Sequence, residues 1–260
     1  GDVVQALGTN VIFHNVKISD SGAIGLNFGT SLEIKIVASE VTGTAAAGIS
    51  SGNTQGPYLV GNYIHDVTGD GLTASVGNSG EIVLSNNVFD TCAGRGIYFS
   101  GSATTQATTR VVMGNTVYGC GNSGLEVTDA DAVVMLMNNV FSENGNAAGE
   151  YNVEWVAGTA EYVGFHGWNV FYHSGGGGGA NLLNLTVNAQ VASSEFTTDP
   201  SFTDAAGGNF AIGSSSPAKA TGFPGQFLGG SLGYLDIGAV QRQEAGGGGL
   251  RLAGHGGLAA

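Results

Sequence analysis

Basic side chains are the scarcest feature of this chain: seven Lys and Arg stand against twenty Asp and Glu, a net charge of −13. That balance excludes nucleic acid as a partner, because phosphates are neutralised by Lys and Arg. It also opposes docking to anionic membranes or long polyanions unless a cation intervenes. Proline is nearly absent, four residues beside 47 glycines, which excludes a collagen-like triplet. Two cysteines, Cys92 and Cys120, are too few for a disulfide scaffold and lack metal-site spacing. No run of eighteen apolar residues exists, so no membrane insertion is expected. The opening GDVVQALGTNVIFHNV lacks a basic start, an apolar stretch and a small-residue cleavage site, so it does not read as a signal peptide. It also lacks an initiator Met and starts in a strand-like pattern, which leads us to expect a processed product or a fragment.

What is present is a repeat. With 42% apolar residues the chain can bury a core, and its apolar positions recur in register. Taking Val16, Ser39, Asn62, Asn87, Asn115, Asn139 and Asn169 as position zero of successive units, the residues at −3 are Phe13, Ile36, Leu59, Leu84, Val112, Leu136 and His166. Those at +2 are Ile18, Val41, Ile64, Phe89, Val117, Phe141 and Phe171. Gly25, Gly48, Gly71, Gly96 and Gly124 stand at +9, each followed by Leu or Ile. The zeros are 23 to 30 residues apart, and the last two units keep their columns only by lengthening one turn. Each unit reads as three short strands divided by Gly, Asn and Asp turns, with no helical stretch. A period near 24 of this kind fits an all-β, single-stranded parallel β-helix of about seven visible coils, each stacked on the next at about 4.8 Å.

Five of the seven zeros are Asn, expected to stack as an amide ladder, because Asn tolerates left-handed backbone and both donates and accepts hydrogen bonds. Cys92 and Cys120 both fall at +5 of consecutive coils, close enough for either a disulfide or a stacked pair of buried thiols.

Beyond about residue 195 the template ends and a different text begins, with DP-x-F-x-D, GG-x-F-x-I, SPA and DIGA at Asp199, Pro200, Phe202, Asp204, Gly208, Phe210, Ile212, Ser216, Pro217, Ala218, Asp236, Ile237, Gly238 and Ala239. This segment resembles the C-terminal part of bacterial and phage-borne right-handed parallel β-helix repeat proteins. The resemblance implies a right-handed coil. It spans polysaccharide lyases, epimerases, glycosidases, tailspikes and adhesins, so it speaks for fold more than for activity. The organisation expected is coils over 1–194, a C-terminal cap over 195–244 that closes the open end of the stack, and a Gly-rich tail over 245–260. A tail so rich in glycine orders only against a neighbour, which implies a homo-oligomer or larger assembly.

The outward column at +11 reads Asn27, Ser50, Thr73, Tyr98, Glu126, Glu154 and Asn184. Asn27, Thr73, Tyr98 and Asn184 are candidates to hold a glycan. Glu126 and Glu154 are adjacent, with Asp129, Asp131 and Glu150 in nearby turns, a set that would suit Ca²⁺ as the only cofactor in prospect, or the carboxylate pair of glycoside hydrolysis. Asp70 and Arg95 share column +8, near His65, Asp66 and Asp90; in a lyase, Arg95 or Tyr98 would act as base. The alternative is a solvated acidic face and a surface ion pair. The sparse polar face favours a rigid rod or spike module of an extracellular, cell-surface or virion assembly that touches glycans. An extracellular lyase or glycosidase on acidic polysaccharide is the alternative.

Overall fold

The computed structural model describes residues 4–5, 8–29, 32–52, 56–75, 81–101, 108–129, 132–145, 150–155, 163–175, 182–183, 195–223 and 236–241. Three parallel sheets, of eight, seven and seven strands, run the length of the stack. The first holds Val4–Gln5, Leu26–Asn27, Ile49–Gly52, Leu72–Ser75, Ile97–Ser100, Leu125–Val127, Val153–Trp155 and Leu182–Leu183. The second includes Pro57–Val60, Ile82–Ser85, Thr108–Met113 and Ala132–Met137, and the third Tyr63–His65, Val88–Asp90, Thr116–Tyr118, Val140–Ser142 and Val170–Tyr172. Each strand pairs with its equivalent one coil away, as a parallel β-helix requires. About five coils share one compact plan; the two that follow are widened, so the regular repeat is shorter than the seven coils expected.

Inside, the predicted columns stack without gaps: Ile36, Leu59, Leu84, Val112 and Leu136 line one wall, Ile64, Phe89, Val117, Phe141 and Phe171 another, all buried. The repeated glycines are needed for close approach between coils. A Cβ on Gly25, Gly71 or Gly96 would lie 2.6–2.7 Å from the carbonyl oxygen of the equivalent glycine in the next coil.

The amide ladder is present, for one of the two expected reasons. The Nδ2 of Asn62, Asn87, Asn115 and Asn139 donates to the Oδ1 of the next rung at 2.9–3.1 Å, and to a strand carbonyl of the preceding coil. Left-handed backbone instead falls one residue earlier, at Asn15, Ala38, Gly61, Asn86, Gly114, Asn138 and Trp168. Asn is selected at the rung by hydrogen bonding, and the turn is made by its neighbour. The ladder ends on Glu195, whose Oε1 accepts from Asn169 Nδ2 at 3.3 Å and lies 2.6 Å from His166 Nδ1. This gives the polar exception in the −3 column a partner.

Cys92 and Cys120 are buried free thiols, the stacked pair rather than the bridge. The adjacent Cys120 thiol first, and then burial, push the Cys92 thiol well up, so Cys92 is not a poised nucleophile.

The C-terminal segment departs from expectation. Phe196 adds one parallel bridge to Val170 at the stack's end, but the rest of the described segment folds back along the outer face of the third sheet. Its antiparallel hairpin, Phe202–Asp204 with Asn209–Ile212, sets Phe202 and Phe210 on Tyr118, at ring separations of 5.9 and 5.5 Å. Farther on, Gly238 N–H donates to Asn138 O at 2.8 Å and Ala239 N–H to Thr116 Oγ1 at 3.0 Å. The sheet is prepared for this cover: its outward positions run from Lys17 and Glu40 in the first coils to buried Val140 and Val170 in the last. The second small core of Val140, Val170, Ile212, Ala218 and Ile237 follows from that change. Residues 242–260, including the glycine-rich tail and its expected assembly role, lie outside the described residues.

Candidate active site on the outer face of the first sheet

The outward column of the first sheet is continuous. Asn27, Ser50, Thr73, Tyr98, Glu126 and Glu154 are register partners in that order, a polar line of about 24 Å at the usual strand spacing. In the widened last coil the register slips by one. Leu183 pairs with Glu154, where the repeat had placed Asn184, which lies outside the described residues.

At the acidic end the turn residues converge on this line. Arg95 donates through Nε to Glu126 Oε2 at 2.5 Å, its Nη1 lies 3.4 Å from Asp70 Oδ2, and its backbone N–H donates to Asp70 Oδ1 at 2.8 Å. Its guanidinium carbon sits 4.0 Å above the Tyr98 ring, and the Thr73 hydroxyl donates to Asp70 Oδ2 at 3.1 Å. Partial burial opposes charge on Arg95, yet the hydrogen bond to Glu126 and the charges of Glu126 and Asp70 outweigh it and raise the pKa further. The geometry places this Arg to hold the carboxylates of Glu126 and Asp70. Tyr98 is its platform, and its hydroxyl accepts from Thr128 Oγ1 at 3.3 Å.

Glu126, Glu150 and Glu154 each place one oxygen within 4.8 Å of the others. Ser123 joins two of them: its hydroxyl lies 2.7 Å from Glu154 Oε2 and 3.1 Å from Glu150 Oε2, and its backbone N–H donates to Glu150. Burial pushes the Glu154 carboxyl above its usual range, and the charges of Glu126 and Glu150 add to that, against the pull of the Ser123 hydroxyl and Arg95. Two neighbouring carboxylates thus sit in contrasting environments, Glu126 held against a guanidinium and Glu154 among like charges.

Four expected members belong elsewhere. Asp90 lies on the third sheet, where Tyr63 donates to its Oδ2 at 2.8 Å; burial raises its pKa, against hydrogen bonds from Thr91 and Tyr63. His65 and Asp66, 2.7 Å apart, share that face with Glu40. Asp129 is buried and binds Arg110 Nη2 at 2.8 Å, so it is withdrawn from the calcium set; Asp131 lies outside the described residues. Arg110 itself, fully buried in a column between Ile82 and Val134, has no counterpart in the sequence reading. Ser123 was missed too, although it occupies the column of Asp70 and Arg95. Trp155 is core, and Trp168 packs on Phe223 with centroids 4.6 Å apart.

The remaining trio fits Ca²⁺ on geometry. Oxygens bound at about 2.3–2.6 Å to one ion are separated by up to about 5 Å, and these three fall within 4.8 Å.

Residues 3–163, more than half the chain, match the family described as the right handed beta helix region. The chain belongs to the right-handed β-helix family. Its coils therefore have the hand that the resemblance implied. Among solved structures it is similar to pectate lyase Pel9A, with a TM-score of 0.60 at 13% identity over 93% of this chain and 68% of that one. At that identity the likeness is one of fold. No curated protein matches the sequence.

Proposed function

We propose that this β-helix acts on polysaccharide outside the cell, laying an extended glycan along the outer column of the first sheet and cleaving it by hydrolysis at Glu126 and Glu154. The observation that carries this reading is the close carboxylate pair in contrasting environments, with an Arg on one member only. Glu154, its pKa raised, gives its proton to the glycosidic oxygen. Glu126, held in place by Arg95, attacks the anomeric carbon, and Glu154 then takes the proton of the water that releases the sugar. Carboxyl groups about 5 Å apart suit this double displacement, whereas an inverting pair stands farther apart. Asp70 positions Arg95, and Ser123 orients Glu154. The resemblance in fold to pectate lyase Pel9A supports a polysaccharide as the substrate class.

The cluster is strongly anionic, which favours a neutral glycan over a uronate. A second reading rests on the fit of Glu126, Glu150 and Glu154 to Ca²⁺, an ion that would neutralise a uronate carboxylate beside the sheet. A panel of neutral and uronate polysaccharides, assayed with and without Ca²⁺, separates the two. We expect reducing ends from a neutral glycan without added Ca²⁺, at a rate at least about a hundredfold lower in Glu154→Gln. Turnover of uronates alone, and only with Ca²⁺, would replace hydrolysis by the lyase reading. Saturable binding with no turnover of any glycan would leave the rigid glycan-touching rod expected from the sequence.

A further inference from the structure

The second sheet is apolar on both sides. Its inward columns fill the core, yet outside them Lys35 is followed, in consecutive coils, by Tyr58, Val83, Val111, Met135 and Phe165. Two residues along the same strands, Val37, Val60, Ser85, Met113 and Met137 form a second outward column. A strand that faces water alternates apolar with polar residues, whereas a strand covered on both faces reads as a continuous apolar run. Pro57–Val60, PYLV, and Ala132–Met137, AVVMLM, are of the second kind. Their outer side is nevertheless open: Ile12, Val60 and Met113 are 64%, 37% and 39% exposed. The chain's three methionines, Met113, Met135 and Met137, all stand on that side.

We infer that this face is where two copies of the chain associate, in a two-fold dimer whose second sheets pack against each other. Size supports it. The sheet has seven strands, four of them six residues long. At about 3.3 Å per residue and about 4.8 Å between strands the face measures about 20 by 29 Å, or about 580 Å² before side-chain relief is counted. Monomers rarely leave more than a few hundred Å² of contiguous apolar surface in water, and each partner of a stable dimer contributes about 800 Å². The corner adds to the face: the Trp168 ring lies 6.1 Å from Phe165 and 4.6 Å from Phe223, itself 39% exposed.

Charge selects a second copy as the occupant. The molecule carries −13, so two copies repel in most orientations. Among the described residues of these seven strands the exposed charges at pH 7 are Glu33 and Lys35, which cancel; Glu81 stands at the rim, before Ile82. The first sheet, by contrast, carries Glu126 and Glu154 outside, and the third carries Glu40 and Asp66 and is partly covered by the C-terminal hairpin. The second sheet is therefore the side on which two copies meet without bringing acids together. A two-fold axis through the face sets it against itself, and the unbranched methionines adapt to such a self-contact. The first sheet stays open in this dimer, so the inference does not rest on hydrolysis at Glu126 and Glu154.

Sedimentation equilibrium of the full chain between about 1 and 100 µM tests it. A monomer–dimer equilibrium should appear and tighten as NaCl rises from about 50 to about 500 mM, because salt screens the repulsion and leaves the apolar contact intact. Val60→Glu with Met113→Glu, both at exposed positions, should weaken association at least about hundredfold, while the melting temperature of the dilute protein is unchanged. Peroxide oxidation read by peptide mass spectrometry gives an independent measure: Met113 should oxidise severalfold more slowly at about 100 µM than at about 1 µM. The inference is overturned if the chain is monomeric at about 100 µM in both salts, or if it forms a trimer. It is equally overturned by a dimer that persists in the folded double variant, or by one in which Met113 oxidises at the monomer's rate.

Discussion

At the residue scale, the contrast between two adjacent asparagines shows what the repeat selects. Asn87 is fully buried, and its amide satisfies Leu59 O, Asn115 Oδ1 and both donors of Asn62. Asn86 beside it contributes the left-handed turn, at φ 56°. Asn87→Ala strands the Asn62 donors and the Leu59 carbonyl in a dry interior, so we expect a loss of about 3 kcal/mol in urea unfolding. Asn86→Gly should change stability by no more than about 0.5 kcal/mol, because glycine adopts that conformation without strain. The ladder was legible because one residue type can both accept from two donors and reach the next coil. Glu195 was not, because it terminates the ladder where the template has ended and only its place above Asn169 reveals it.

At the scale of elements, strands stack identical positions and so bring acids together, and the pairings that offset this come from turns. The buried Arg110–Asp129 pair joins a strand of the second sheet to the turn after Val127. Burial depresses the Arg110 pKa, and the Asp129 charge opposes that shift, so each ion depends on the other. Arg110→Ala alone should destabilise by about 3–5 kcal/mol in chemical denaturation, while Arg110→Met with Asp129→Leu should come within about 1 kcal/mol of the wild type. Glu154 shows the opposite balance. Its folded pKa is raised above 4.5, so the folded state binds that proton more tightly than the unfolded chain. Stability is therefore lost as pH rises from 4.5 through the raised value, and the penalty is fully present above it. Thermal melts should show Glu154→Gln more stable than the wild type at pH near 7 and no more stable at pH near 4. The column that aligns Glu126 with Glu154 was readable from the repeat, because a parallel register maps offset onto neighbour. The partners Asp129 and Asp90 were misassigned, since closeness in sequence does not show which sheet or which side of a turn a residue occupies. Opposite Glu154 stands Leu183, one residue off the register that the template gave.

For the whole molecule, stacking divides labour between the faces of the rod. The interior columns carry the fold, and their periodicity made it readable from the chain alone. The outer face of the first sheet carries Arg95 and the carboxylates, and the third sheet is given over, toward its end, to the returning C-terminal segment. That return was not readable from the family-like motifs, which mark the segment but not the side on which it lies; the change from Lys17 and Glu40 to Val140 and Val170 was the available sign. The central claim is that Glu126 and Glu154 act as a close pair on a neutral glycan, and the configuration of the first product tests it most directly. Proton NMR of the anomeric signal during hydrolysis should show the configuration of the substrate retained. An inverted product, an unsaturated sugar, or no released product at all would contradict it.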